Sequence, residues 1–186
     1  MSGHSKWSQI KRQKGATDGA KAKVFGRFSK LIAQESKKAG GALTAPGLAT
    51  AIARAKAINM PKDSIDRAVA KGMSKDAGEL TQVVYEWYGP GGTAIIIDAL
   101  TDNTNRTTQE IKHLITKNGF ELGAQGSAAW AFAKSPAGGF SPNEPLMDLS
   151  PEDEEALGKI FDLIDENDDI QRVYTNARGY EDNESD

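Results

Sequence analysis

The sequence predicts an α+β protein, in which an N-terminal three-helix bundle is followed by a two-layer α+β domain. In the first 75 residues, apolar side chains recur every three or four positions, which is the period of amphipathic helices. From residue 82 onwards, short runs rich in valine, isoleucine and aromatic residues are separated by turn residues, which is the pattern of strands. The predicted order in this second part is ββαβ–αβ, so we expect an antiparallel sheet covered on one face by two helices.

The three helices of the bundle are predicted at residues 21–38, 46–59 and 62–71. The apolar stripe of the first consists of Val24, Phe25, Phe28, Leu31 and Ile32. Core packing therefore accounts for both phenylalanines, and the basic residues of this helix are expected on its opposite side. Pro46 is a favoured first-turn residue, and Gly72 is a natural stop for the third helix.

Four strands are predicted, at residues 82–88, 93–101, 127–134 and 170–176. The segment Gly89-Pro90-Gly91-Gly92 joins the first two as a hairpin turn. It lacks the GxxxxGK[ST] pattern and connects two strands rather than a strand and a helix, so a phosphate loop is not predicted there.

Two more helices are predicted, one opened by a Thr107–Glu110 capping box and one opened by Ser150-Pro151. Residues 135–149 are rich in glycine and proline and have no hydrophobic period, so they are predicted to form a long flexible connection. The predicted organisation is a basic arm at 1–20, a helical domain at 21–75, an α+β domain at 79–178 that includes this connection, and an acidic tail at 179–186.

Charge is divided unequally along the chain. Residues 1–75 contain sixteen Lys or Arg and four acids, a net charge of +12, whereas residues 76–186 contain seven and twenty-two, a net charge of −15. At a Debye length of roughly 8–10 Å, a distant acidic half does not cancel the field of the basic half at contact distance. This asymmetry predicts that the first half binds a polyanion and that the second half is kept away from it.

The candidate contacts with a polyanion are most closely spaced in the first fourteen residues. A single tryptophan among lysines offers a stacking face beside ammonium groups that attract phosphates, although a solvated tail with its tryptophan packed on the core is the alternative. The candidate nucleic-acid-binding residues are His4, Lys6, Trp7, Lys11, Arg12, Lys14, Lys23, Arg27, Lys30 and Arg106.

The last of these, Arg106, lies in a polar segment, Asp102-Asn103-Thr104-Asn105-Arg106, that is expected to be an exposed loop. Its asparagines are explained equally well by helix capping or by binding a partner. Arg106 is the residue that capping explains least.

Other classes of function are not predicted. Cysteine is absent and the two histidines, His4 and His113, are far apart, so neither thiolate catalysis nor a His-based metal site is expected. No GxSxG nucleophile motif occurs, and no catalytic residues or cofactors are predicted. The longest aliphatic run is too short for a membrane span and no signal peptide is visible, so we expect a cytoplasmic protein with no membrane and no small-molecule substrate among its partners.

Several segments together resemble the YebC/PmpR family. They are Gly3-His4-Ser5-Lys6-Trp7, Ala57-Ile58-Asn59-Met60-Pro61-Lys62-Asp63, Tyr85-Glu86-Trp87-Tyr88-Gly89-Pro90-Gly91-Gly92, Thr101-Asp102-Asn103-Thr104-Asn105-Arg106-Thr107, Leu122-Gly123 with Gly126-Ser127, and Asp168-Asp169-Ile170-Gln171 with Val173-Tyr174-Thr175-Asn176. Trp87 stands where the family usually has glycine, and Phe120 interrupts a usual Gly-Gly pair. Typical members are also longer, with a further α+β domain where this chain has residues 135–149.

The resemblance implies an N-terminal helical domain followed by α+β structure, and one of two roles. Many members are described as DNA-binding transcriptional regulators, and others as translation factors that act on the ribosome, where relief of stalling at proline-rich stretches has been proposed. A lysine-rich arm with one tryptophan suits phosphates and unstacked bases, and no helix-turn-helix with base-reading residues is evident. Our first hypothesis is therefore a non-enzymatic factor that binds ribosomal RNA in translation, the second a DNA-binding transcriptional regulator, and the third a protein-interaction module built on the acidic half.

Overall fold

The computed structural model of the 186-residue chain describes residues 18–75, 78–135 and 139–180. They form two compact units, a helical unit that ends at Thr81 and an α+β unit that begins at Gln82. The mixture of helices and antiparallel sheet confirms the predicted α+β class. Within the described ranges, no helix is long and apolar enough to cross a bilayer.

The helical unit contains α1 (Asp18–Lys38), α2 (Pro46–Ala57) and α3 (Lys62–Met73). The predicted helices are confirmed, although α1 begins three residues before its predicted start. The buried core of this unit consists of Ile32, Leu48, Ala51, Ala55, Met60, Ile65 and Ala68, with Phe25 and Phe28 packed against it.

A glycine brings α1 and α3 into close contact. A Cβ atom on Gly72 would lie 2.3 Å from the backbone oxygen of Ala33 and 2.8 Å from the Cβ of Ser36. At this crossing the Ser36 hydroxyl, which is fully buried, donates a hydrogen bond of 2.9 Å to the Val69 carbonyl. The two helices can therefore approach only where one of them has no side chain.

The α+β unit has a three-stranded sheet in the order β1-β2-β5, formed by β1 (Thr81–Tyr88), β2 (Ala94–Thr101) and β5 (Ile170–Thr175). Strands β2 and β5 are antiparallel, with Ile96 opposite Tyr174 and a register shift between Asp98 and Ala99. The short turn between β1 and β2, where the Gly89 N–H donates to the Thr93 carbonyl at 2.8 Å, permits only an antiparallel pair.

One face of this sheet carries the helices α4 (Thr104–Lys117) and α5 (Pro151–Asp165). Ile95, Ile97 and Ala99 of β2 point to this side, because alternate residues of a strand face the same way. They form a core with the buried helical residues Ile111, Ile115, Leu157, Ile160, Phe161 and Ile164.

The opposite face of the sheet is also covered, which corrects the prediction for residues 127–149. Instead of one long strand, a 3₁₀ turn at Ala129–Ala131 is followed by β3 (Phe132–Lys134), which pairs with β4 (Phe140–Pro142) in a separate two-stranded sheet. Phe140, predicted to lie in a flexible connection, packs edge-on against Tyr174 with ring centroids 5.4 Å apart. Strands of three residues are too short to show a period, which is why the sequence placed β3 inside a longer strand and missed β4.

The start of α4 is a second correction. Asn103 is the N-cap residue, and its side chain accepts a hydrogen bond of 3.0 Å from the Arg106 N–H. The predicted capping box at Thr107 is therefore wrong. Thr107 is instead fully buried, with its hydroxyl directed at Thr101 and Asp169.

Candidate nucleic-acid interface

A row of lysines follows the outer side of α1. Lys23, Lys30 and Lys37 are seven residues apart, so successive members are displaced by only about 20° around the helix and about 10.5 Å along its axis. The row lies about 120° from Ser36, the fully buried residue that contacts α3. Lys23 and Lys37 are exposed and Lys30 is half-buried.

Arg27 does not belong to this row, which corrects the sequence prediction. Its side chain was expected on the outward basic face, but the residue is only 8 % exposed. A buried guanidinium is not presented to an incoming polyanion, so we remove Arg27 from the set of surface contacts. The predicted residues His4, Lys6, Trp7, Lys11, Arg12 and Lys14 lie outside the described residues.

Cations dominate the helical unit as a whole. Residues 18–75 contain twelve Lys or Arg and four acids, a net charge of +8. One of the four acids, Glu35, is paired with Lys38 at 2.7 Å. Since exposed ion pairs add little and few carboxylates are present, the electrostatic field of this unit is positive.

The helices of this unit offer few groups that could recognise adenine. The segments of α1, α2 and α3 contain no asparagine and a single glutamine, Gln34. The side-chain amide of Gln34 donates to the Leu80 carbonyl at 3.1 Å. The lysine row and the composition of the helices together favour contacts with a phosphate backbone over bidentate recognition of adenine.

Arg106 lies in an ion-pair cluster of the α+β unit, in the first turn of α4 rather than in a loop. Its Nη2 atom is 2.8 Å from a carboxylate oxygen of Asp169 and 3.0 Å from one of Asp102, and Glu110 lies 3.8 Å from its Nε. Hydrogen bonds to Asp169 and then Asp102 raise the pKa of Arg106 above its ordinary value. The cluster gives this residue a structural role that the sequence analysis did not identify.

Asp169 is the buried centre of that cluster and was not singled out by the sequence analysis. It is 5 % exposed and accepts hydrogen bonds from the hydroxyls of Thr101 and Thr107, at 3.2 and 2.8 Å, in addition to the Arg106 guanidinium. One carboxylate thereby connects the end of β2, the start of α4 and the segment that enters β5.

Glu86 is a second buried carboxylate that sequence reasoning missed. It is 4 % exposed, and its two oxygens accept hydrogen bonds of 2.8 Å from the backbone N–H groups of Gly126, Ala128 and Ala129. Backbone donors satisfy a buried carboxylate without a cation, so Glu86 fixes the loop that follows α4 against β1.

Comparison with known proteins gives the family. Residues 5–75 match the family model described as the TACO1/YebC protein N-terminal domain, and residues 80–137 match the TACO1/YebC second and third domain. A probable transcriptional regulatory protein from Thermoanaerobacter pseudethanolicus is 36 % identical over 245 aligned residues that include 99 % of this chain and 100 % of that protein. The chain belongs to the TACO1/YebC family.

Other TACO1/YebC relatives are similar over different shares of their length. One from Francisella tularensis subsp. mediasiatica is 41 % identical over 98 % of this chain and 73 % of its own length. One from Koribacter versatilis is 48 % identical over 72 % of this chain, and the match spans only 54 % of that protein. Both are named probable transcriptional regulatory proteins.

The family fold is shared with a solved structure. The crystal structure of a conserved hypothetical protein from Aquifex aeolicus superposes with a TM-score of 0.74 at 25 % identity, over 87 % of this chain and 91 % of that one.

This chain is a short TACO1/YebC member. The Thermoanaerobacter alignment extends over 245 residues, whereas the chain has 186, so the difference of at least 59 positions has no counterpart here. The match to the second and third domain ends at residue 137, just before β4.

The structure explains why separate TACO1/YebC motifs occur together. The motif at 101–107 and the motif at 168–169 form one cluster. They meet at the contact between Arg106 and Asp169, which are 63 residues apart in the sequence. The β1 motif containing Glu86 and the Gly126-Ser127 motif likewise meet, through the carboxylate of Glu86. Within the described residues, these two motif pairs stabilise the α+β unit, whereas the lysine row is directed away from a core.

Proposed function

We propose that this protein is a non-enzymatic, cytoplasmic factor that binds nucleic acid through the cationic surface of its helical unit. The observation that carries the proposal is the row Lys23, Lys30 and Lys37 on a unit with a net charge of +8 in its described part. A cationic helix face of this kind neutralises phosphates and releases their counterions, which supplies affinity without a deep pocket. The basic residues of the first fourteen positions, which lie outside the described residues, remain proposed contacts of the same chemical kind.

Two targets are proposed for this surface, each supported by a different observation. The name of the curated relatives, probable transcriptional regulatory protein, favours a DNA target and a regulatory role. The composition of α1, α2 and α3, with no asparagine and with Gln34 bonded to the backbone, favours binding of phosphates without bidentate recognition of adenine, as on ribosomal RNA during translation.

Charge substitution with a matched control tests the shared part of the proposal. A triple variant, K23Q/K30Q/K37Q, removes three positive charges from α1, and K112Q/K117Q/K159Q removes three from α4 and α5 of the α+β unit. Binding is measured by fluorescence anisotropy from 50 to 300 mM salt, with a duplex DNA and a structured ribosomal RNA fragment as probes. For duplex DNA, about six phosphate contacts predict a log–log salt slope near −5 for the unmodified chain.

We expect the α1 variant to reduce the magnitude of that slope by about 2 to 3 and the control to leave it unchanged. Equal effects of the two variants would show that net charge, rather than this surface, determines binding. A flat salt response of the unmodified chain would exclude phosphate contacts and support the protein-interaction hypothesis.

Co-sedimentation separates the two targets. The chain is applied to gradients of ribosomes at low salt, with and without nuclease treatment. Nuclease-sensitive sedimentation with ribosomes supports the RNA target, whereas absence from ribosomal fractions together with tight binding to a defined DNA site supports the regulator. The α1 triple variant should reduce whichever of the two is observed.

A further inference from the structure

Two aromatic side chains of the α+β unit remain on its surface next to each other. Trp130 is 67 % exposed and Tyr88 is 42 % exposed, although large aromatic rings are normally buried. Trp130 belongs to the 3₁₀ turn before β3, and Tyr88 is the last residue of β1. Elsewhere in this unit, Leu163 is the other large apolar residue with substantial exposure among those described.

Hydrogen bonds hold the two rings in place before any ligand arrives. The Trp130 indole N–H donates to the Tyr88 hydroxyl at 2.7 Å, and that hydroxyl donates to the Ser127 carbonyl at 2.6 Å. The backbone of Trp130 is fixed as well, because the Asn143 side-chain amide donates to its carbonyl at 3.1 Å. The indole N–H of Trp130 and the hydroxyl of Tyr88 are therefore both hydrogen-bonded, so an exposed apolar ring surface is what the pair offers to a ligand.

The charges around this aromatic pair differ from those of the rest of the unit. The described residues from 78 to 180 contain seven Lys or Arg and seventeen acids. Between Glu121 and Glu144, however, the sequence has one charged residue, Lys134, and no acid. Glu86, which binds this loop from β1, is buried with three N–H donors on its carboxylate. A phosphate chain would therefore be repelled less here than elsewhere on the unit.

The size of the pair decides which class of ligand it suits. A specific protein interface buries about 800 Å² on each partner. Two partly exposed rings among small residues such as Ala124, Gly126 and Ala133 offer much less apolar surface. A nucleobase is a flat π system that stacks on a single indole, and such stacking does not depend on the identity of the base.

We propose that Trp130 and Tyr88 form a stacking site for an unpaired nucleobase of single-stranded RNA or DNA. The site rests on the proposed nucleic-acid function and adds to it a preference for unpaired bases. Duplex nucleic acid stacks its bases internally and does not present a free base face.

Affinity measurements on the full chain test the stacking site. The probes are a 12-nucleotide oligouridine and a duplex of equal length, and the variants are W130A, W130F and, as a matched control of an exposed apolar residue, L163A. We expect W130A to weaken oligouridine binding by about tenfold, W130F by less than about threefold, and L163A not at all. Duplex binding should be unchanged in all three variants.

Photo-crosslinking gives a readout that does not depend on affinity. The oligonucleotide carries 5-bromouracil, irradiation links the halogenated base to an aromatic ring that it contacts, and mass spectrometry identifies the modified peptide. Crosslinks at Trp130 or Tyr88 support the site, and crosslinks confined to other residues overturn it.

The two proposals fail in different ways. If the unmodified chain binds oligouridine and duplex but W130A changes neither affinity, the stacking site is wrong while the nucleic-acid function stands. An equal loss of affinity for oligouridine and duplex in W130A also overturns the stacking site, since that result indicates a general disturbance of the protein. If the unmodified chain binds no nucleic acid at any salt concentration, both proposals are wrong, and the aromatic pair is then better interpreted as a contact for a protein.

Discussion

The helical unit and the α+β unit use charged residues in opposite ways. In the helical unit, the core is apolar and the exposed lysines of α1 lie away from it, so the helices are held together by close packing around Gly72. In the α+β unit, two carboxylates, Asp169 and Glu86, are buried and hydrogen-bonded, and each connects segments that are distant in sequence.

This difference indicates which charges are available to a partner. A cation such as Arg106, with carboxylate oxygens 2.8 and 3.0 Å away, already has a structural role even though its side chain is 45 % exposed. An exposed lysine such as Lys23 on a unit with few carboxylates contributes little to the fold. Substituting charges should therefore change stability in the α+β unit and nucleic-acid affinity in the helical unit.

Replacement of Asp169 should have the largest effect on stability. In D169A the buried hydroxyl of Thr101 loses its acceptor, that of Thr107 loses one of its acceptors, and Arg106 loses its closest carboxylate. We therefore expect a loss of about 3 kcal/mol in the free energy of unfolding. Urea denaturation followed by far-UV circular dichroism measures this loss. The exposed carboxylate of Glu121 is the control, and E121A should cost less than about 0.5 kcal/mol. Similar losses in the two variants would contradict a structural role for the cluster.

A smaller loss is expected when the helix crossing is altered. G72A places a Cβ 2.3 Å from the Ala33 carbonyl oxygen, so α1 and α3 must separate at a cost of about 1–3 kcal/mol. Gly26 of α1 is the control, because a Cβ there meets nothing within 4 Å and G26A should stabilise the helix by up to about 1 kcal/mol. Hydrogen exchange of the α1 and α3 amides measures the change in stability in both variants. If G72A and G26A changed the stability in the same direction, the packing argument would be wrong.

The smallest effect concerns a partly buried charge that opposes folding. Burial raises the pKa of Asp98 above its ordinary value, against the lowering effect of its hydrogen bond from Gln82. The folded state therefore binds the Asp98 proton more tightly than the unfolded state does. The stability contributed by protonated Asp98 is fully present below the unfolded pKa of about 3.9, and it is lost as the pH rises through the folded pKa. We expect D98N to raise the melting temperature at pH 7 and the difference to shrink towards pH 3. A pH-independent difference, or one no larger than that of E121Q, would show that burial of the charge is not its cause.

The local pattern of the chain was sufficient for the long elements. The helices of the first half and the strands β1, β2 and β5 were predicted to within a few residues, because each has a hydrophobic period or a turn signal at its ends. Strand β3 was predicted only as the end of a longer strand at 127–134, and β4 was not predicted, since three residues carry no period and Phe140 is held by aromatic contacts with Phe132 and Tyr174. At the candidate site, the lysine row followed from helical spacing, whereas the burial of Arg27 did not, because Arg27 lies at the flank of the apolar stripe and its burial depends on the packing of α1 within the folded unit.

By itself, the sequence determined the α+β class, the separation of a cationic half from an acidic half, and the row of lysines on one helix, since all three depend on residue type and spacing along the chain. Tertiary structure decided which charges remain at the surface and which stabilise the fold. The contact between Arg106 and Asp169 spans 63 residues, and the exposed pair of Trp130 and Tyr88 spans 42. No periodicity encodes such contacts, because they arise only when the chain folds and brings distant segments within hydrogen-bonding distance.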